Sequence, residues 1–215
     1  GLSSTLSING GGKLSDVAGN ELTNLAIPAD LLDGSFQLYV ETTAPTIGTI
    51  TSGETAGSYG AGGTIPVVVS FINGVGGVAE NVNLHSGSFD IILATGATPP
   101  SKVSISTDWN GSTASGDYVV AVNDVSDKLS VSSLAIGGAG SVTDTYGNGL
   151  SATPDIPSGS NLDDYIAFKI DGVAPTIESI TSSSKDTTYG IGDNINVTIT
   201  FSKAVTLATA NLNHS

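Results

Sequence analysis

The sequence predicts an all-β fold made of tandem β-sandwich modules, one complete and two partial. Three observations carry this reading. Apolar residues come in short alternating runs separated by Gly, Asn, Asp and Pro turns, the pattern of half-buried strands. Charged residues are only 12% of the chain and the helix formers Lys, Glu, Gln and Met are scarce, so no amphipathic helix can be drawn. The stretch Asp171-Gly172-Val173-Ala174-Pro175-Thr176-Ile177 is matched by Glu41-Thr42-Thr43-Ala44-Pro45-Thr46-Ile47 about 130 positions earlier, which reads as a joint between repeated modules.

Residues 1–43 read as the last part of a module. They hold a strand Ser3–Ile8, a turn Asp16-Val17-Ala18-Gly19-Asn20 and a strand Ser35–Glu41. Their counterparts are Ser132–Ile136, Asp144-Thr145-Tyr146-Gly147-Asn148 and Tyr165–Asp171.

Residues 44–173 read as the complete module, with seven expected strands: Ile47–Ser52, Thr64–Ile72, Ser88–Ala94, Lys102–Asp108, Asp117–Val122, Leu129–Ile136 and Tyr165–Asp171. Seven strands in this order make an immunoglobulin-like count. In the second of them Ile65, Val67, Val69 and Phe71 alternate with Pro66, Val68, Ser70 and Ile72, so the first set faces the core. Pro66 has no N–H to donate and points to an edge or a bulge. Trp109, the sole Trp, follows the fourth strand beside the turn dipeptide Asn110-Gly111 and is read as a lid on the core.

Residues 174–215 restart the module. Ile177–Ser182 repeats the first strand, Tyr189-Gly190-Ile191-Gly192 repeats Tyr59-Gly60-Ala61-Gly62, Ile195–Phe201 repeats the second strand, and His214-Ser215 repeats His85-Ser86. Both end segments are therefore incomplete sandwiches with exposed edges. Either adjoining sequence or another chain is expected to supply the missing strands. With no Met and both ends inside a repeat, the chain is expected to be a segment of a longer protein, so the lack of a signal peptide carries no information.

Composition narrows the chemistry. The absence of Cys excludes disulfides, thiol catalysis and Cys-based zinc or iron–sulfur sites. A net charge of −14 with only 6 basic residues argues against nucleic acid or an anionic membrane as partner, because both need clusters of Lys and Arg. No apolar run approaches the roughly 18–20 residues of a membrane span. The acids are mostly Asp placed in turns, which suits a solvated surface or oxygen ligands for a divalent cation.

The linker Asp171–Ile177, the stretch Tyr189–Asp193, the strand end Phe201-Ser202-Lys203-Ala204-Val205 and the turn Asp144–Asn148 together resemble the immunoglobulin-like tandem repeats of large bacterial and archaeal surface proteins, adhesins and surface-layer proteins among them. The likeness spans the chain. In the complete module Gly63 replaces the equivalent of Asp193, and Asn73-Gly74 replaces Lys203-Ala204. The resemblance implies an extracellular, cell-surface location, neighbouring repeats of the same or identical chains as partners, and calcium held at the joints.

In an immunoglobulin-like sandwich the chain enters near the loops after the second and sixth strands and leaves near the loops after the first and fifth. Asp144 and Asn148 should then face the upstream joint with Glu41. Asp124, Asp127 and Glu54 should face the downstream joint with Asp171. Asp16 and Asn20 are the matching pair in the first segment. Converging oxygens of this kind would hold calcium, as the resemblance implies. The competing reading is that Asp-x-x-Gly-Asn is a self-bonded turn, since Asp and Asn bond their own backbone and Gly tolerates positive φ.

Asp33 and the pair Asp163-Asp164 read as solvated entries to the last strand, and His85 and His214 as loop residues without a second metal ligand nearby. No Gly-x-Ser-x-Gly elbow is present and each His sits in a repeated position, so no catalytic residue is assigned. Sequons at Asn110, Asn196 and Asn213 permit glycosylation without indicating it, because Ser and Thr are abundant. The expected function is a non-catalytic structural repeat of a stalk, surface layer or filament. The alternatives are an adhesive module gripping a glycan or protein near Trp109 or Tyr118, and a self-assembling subunit that shares strands between chains.

Overall fold

The computed structural model describes residues 13–22, 41–106 and 109–206. The chain divides into two compact units, Gly1–Thr42 and Thr43–Ser215. The expected strand Ser3–Ile8 and most of Ser35–Glu41 lie outside the described residues, as do Asp33, Asn213 and His214. In the first unit a small hairpin turns at Asp16–Asn20, closed by the bridge Ser15↔Glu21 and by Leu22 N–H to Leu14 O at 2.7 Å.

Among its described residues the second unit is all-β but for one turn of helix. Its first sheet joins β1 (Pro45–Thr51), β3 (Thr64–Asn73) and β8 (Thr113–Val119) in the order β1-β3-β8. Ile65, Val67, Val69 and Phe71 are buried and their alternates are not, as the period of two requires. Pro66 lies in the central strand of this sheet, at the end where that strand is locally an edge. The strand survives there because β1 pairs with β3 only up to Thr51↔Val68, leaving Pro66 a partner, Asp117, on one side alone. The strand β8 begins at Thr113, earlier than its polar sequence suggests, because small Ala114 turns inward opposite Val69.

A second sheet has the order β10-β5-β6, from β5 (Ser88–Leu93), β6 (Lys102–Ser106) and β10 (Val131–Gly137). Phe89, Ile91 and Leu93 point into the same core as the first sheet's residues, and the rings of Phe71 and Phe89 meet edge-on at 5.6 Å. Pairing of β5 with β10 resumes beyond a bend as β4 (Val82–His85) with β11 (Ser141–Asp144), and β7 (Asn110–Gly111) adds to β4. The bend depends on glycine. Gly87 has φ +68°, and a Cβ on it would lie 2.3 Å from Gly137 O, while one on Gly140 would lie 2.6 Å from Ser86 O.

The last expected strand starts late, at β12 (Phe168–Asp171), because residues just before it form α1 (Leu162–Tyr165), a helical turn that the sequence does not announce. Asn161 caps this turn, and its side-chain amide also bonds both Val131 N and Val131 O at 2.9 and 2.8 Å, standing in for a strand neighbour of β10. Asp164 completes the capping box. The strand β12 lies between β2 (Gly57–Gly60), which is parallel to it, and β9 (Val125–Ser126). Among the described residues no helix is long and apolar enough to cross a membrane.

Residues 177–201 form a hairpin of β13 (Ile177–Thr181) and β14 (Thr198–Phe201). It reproduces β1–β3 at a constant offset of 130 positions. Ile177↔Phe201, Ile180↔Ile199 and Thr181↔Thr198 repeat Ile47↔Phe71, Ile50↔Val69 and Thr51↔Val68, with the register shift at the same place. Tyr189 Oη donates to Lys185 O as Tyr59 Oη donates to Thr55 O, both at 2.8 Å. Burial differs: Ile47 and Phe71 are each 1% exposed, against 56% and 38% for Ile177 and Phe201.

Candidate functional site

Among the described residues a buried polar group lies where β8 and β9 meet the end of β12. Tyr118 on β8 points inward, and its hydroxyl donates to Asp124 Oδ2 at 2.7 Å. The same oxygen accepts from Ser101 Oγ at 2.7 Å and from the backbone N–H of Ala121 at 3.2 Å. Asp124 is 1% exposed and Tyr118 2%. Burial by itself would raise the Asp124 pKa. The hydrogen bonds from Tyr118, Ser101 and Ala121, with help from the Thr95 hydroxyl, outweigh it and hold the carboxyl below its ordinary value. Thr95 Oγ1 and Asp124 Oδ1 form no direct hydrogen bond. The Tyr118 phenol is pushed up by burial first, then by the neighbouring carboxylate.

This buried group shapes the turn that receives the linker. Gly172 N–H donates to Asp124 O at 2.7 Å and Asn123 N–H donates to Gly172 O at 3.0 Å. A Cβ on Gly172 would lie 2.2 Å from Ala121 O, which is why the linker carries glycine at this point. Beside it β9 pairs Val125 with Asp171.

The expected placement of Asp124 and Asp127 beside Asp171 is thus met by the backbone, while the side chains go elsewhere. Asp124 turns into the core. Asp127 is fully exposed, 3.6 Å from Lys169 Nζ. Asp171 is bound by Lys203, whose Nζ lies 2.6 and 2.8 Å from its two carboxylate oxygens. The Lys203 hydrogen bond is the main reason that the Asp171 carboxyl is held below its ordinary value. Glu54 has a long contact, 3.5 Å, with Tyr59 Oη.

The Asp-x-x-Gly-Asn turns close on themselves. Asp144 Oδ1 accepts from the backbone N–H of Tyr146 and of Asn148, both at 2.8 Å, and Oδ2 accepts from Asn148 Nδ2 at 2.8 Å. Asp16 does the same with Ala18 and Asn20 at 2.9, 2.9 and 2.8 Å. These bonds favour the charged form and lower the Asp16 pKa, the Asn20 side chain most of all. Asp144 is buried, Asp16 exposed. Glu41, half-buried, belongs to the first unit, and Asp144 and Asn148 to the second.

A calcium ion takes six to eight oxygen ligands. Among the described residues no three His, Cys, Asp or Glu side chains converge on one point, and those of the downstream joint do not fit such an ion, each acid having a protein partner of its own. His85 Nε2 meets Thr143 Oγ1 at 3.2 Å. Trp109 is half-buried and packs on Phe71, ring centroids 5.6 Å apart, and Tyr118 is buried in the core.

Sequence reasoning missed the Tyr118–Asp124 pair and Lys203. A signal for Lys203 existed: in a chain with 6 basic and 20 acidic residues, a lysine right after a repeated strand is worth tracing to its acid. A surface cleft of about 720 Å³ runs beside β10, with Asp155, Asp163 and Asp164 among the residues that line it. Comparison with family models, curated proteins and solved structures finds no match to the chain.

Proposed function

We propose that the chain is a non-catalytic structural segment of a long extracellular surface protein, built from tandem immunoglobulin-like modules that supply length and stiffness. The observation that carries this is the recurrence of one hairpin at a constant offset of 130 positions, register shift included. Such agreement is what repeated modules produce. The Asp16 and Asp144 turns, alike in three side-chain hydrogen bonds, support the same reading from the other end of the module. The surface location rests on the resemblance of the linker and turn motifs to surface-protein repeats.

Stretching single molecules from the two ends tests the mechanical part. The complete module, about 125 residues between β1 and β12, should release about 40 nm of chain in one step, at roughly 3.5 Å per residue less its folded length. Antibodies raised against it should label intact cells, and external protease should remove the label. Gradual lengthening without a step of that size, or labelling only after permeabilisation, refutes the proposal.

A further inference from the structure

We propose that Lys203 is the built-in cation that fixes the joint between the complete module and the segment after it, so that this joint holds its geometry without a divalent ion. The inference rests on the reading of Asp171–Thr176 as a module joint. Lys203 stands two residues beyond β14, and Asp171 ends β12. The ammonium meets both Asp171 oxygens, at 2.6 and 2.8 Å, and also the carbonyl oxygen of Val173. Three N–H donors thus find three acceptors, all on the linker or its root. Ser202 adds a second tie, accepting from Thr176 N–H and donating its own N–H to Thr176 O, each at 2.9 Å. On its other side the linker is held by Gly172 against the Asn123–Asp124 turn. It is therefore gripped from both modules within a few residues.

The upstream copy is built differently. Asn73 holds the position 130 residues before Lys203, and its side chain turns into its own loop, donating to Glu80 Oε2 at 3.2 Å and accepting from Val75 N–H at 2.8 Å. An exposed ion pair contributes little to stability. Its effect here is on geometry, because a charge carried just beyond β14 and bound by three acceptors at the end of β12 and on the linker restricts the angles open to the linker.

The chain has no Cys, so a nitroxide pair can be placed at S115C on β8 and S183C after β13, both exposed positions. Distances between the spins, measured by pulsed dipolar spectroscopy on the whole chain, should form a narrow distribution that neither EDTA nor added calcium changes. K203Q and D171N should at least double its width, K203R should narrow it again because guanidinium also bridges a carboxylate, and high salt should widen it. A distribution that is broad from the start, that K203Q leaves unchanged or that EDTA broadens overturns the proposal. The Trp109 fluorescence melt should be the same in K203Q, which separates a loosened joint from a misfolded module. Failure of the surface-stalk reading would be seen in the stretching and labelling experiments and not in these widths.

Discussion

Replacing Tyr118 by Phe removes one atom from the centre of the module, and its cost can be worked from the geometry. The lost hydroxyl is the donor 2.7 Å from Asp124 Oδ2. The ring keeps its place, so no cavity term enters. The carboxylate stays buried, keeps Ser101 and the Ala121 N–H, and has Oδ1 already without a partner. Hydrogen bonds to charged groups contribute about 1.5–3 kcal/mol, and so poorly compensated a charge belongs in the upper part, about 2–3 kcal/mol. At roughly 2.1 cal/mol/K per residue, the proposed module of about 130 residues would unfold with an entropy near 0.27 kcal/mol/K, so the melting temperature should fall by about 7–11 °C. Trp109 packs on Phe71 in the core, so its fluorescence in a urea titration reports this module. The exposed tyrosine in Y165F is the control and should change stability by less than about 0.5 kcal/mol. If Y118F also stays within that limit, the account of Asp124 as a charge held by donated hydrogen bonds is wrong.

Three further outcomes are expected. D144A takes away the acceptor for two backbone N–H groups and the Asn148 amide, and should cost about 2–4 kcal/mol in a urea titration. G87A forces a side chain into a left-handed conformation against Gly137 O and should cost about 3 kcal/mol or more by the same measurement. Asp90, whose burial is outweighed by Lys102 and the Ser104 and Ser88 hydroxyls, and Asp124 both have folded pKa values below the ordinary 3.8. The stability they bring is full above that value and lost as pH falls through the lower folded values, so calorimetric melting temperatures should hold down to about pH 5 and drop below about pH 4. A melting temperature that falls already near pH 6, or rises on acidification, contradicts this.

The sequence by itself determined whatever depends on neighbours in the chain. Alternation placed Ile65, Val67, Val69 and Phe71 on one face of a strand, and the strand stayed where the pattern put it. The Asp-x-x-Gly-Asn turn was legible as a turn because the bonds that close it lie within four residues. The repeat offset was legible because equal sequences fold to equal hairpins. Only the tertiary structure decided what each acid binds. Asp124 and Asp127 stand three positions apart, on either side of β9, yet one is buried under Tyr118 and the other is fully exposed by Lys169. Asp171 belongs with them, because the cation that it binds comes from Lys203, 32 positions away. A side chain's partner depends on which distant strand the fold brings beside it, and one residue's change of direction across a strand takes it from solvent to core.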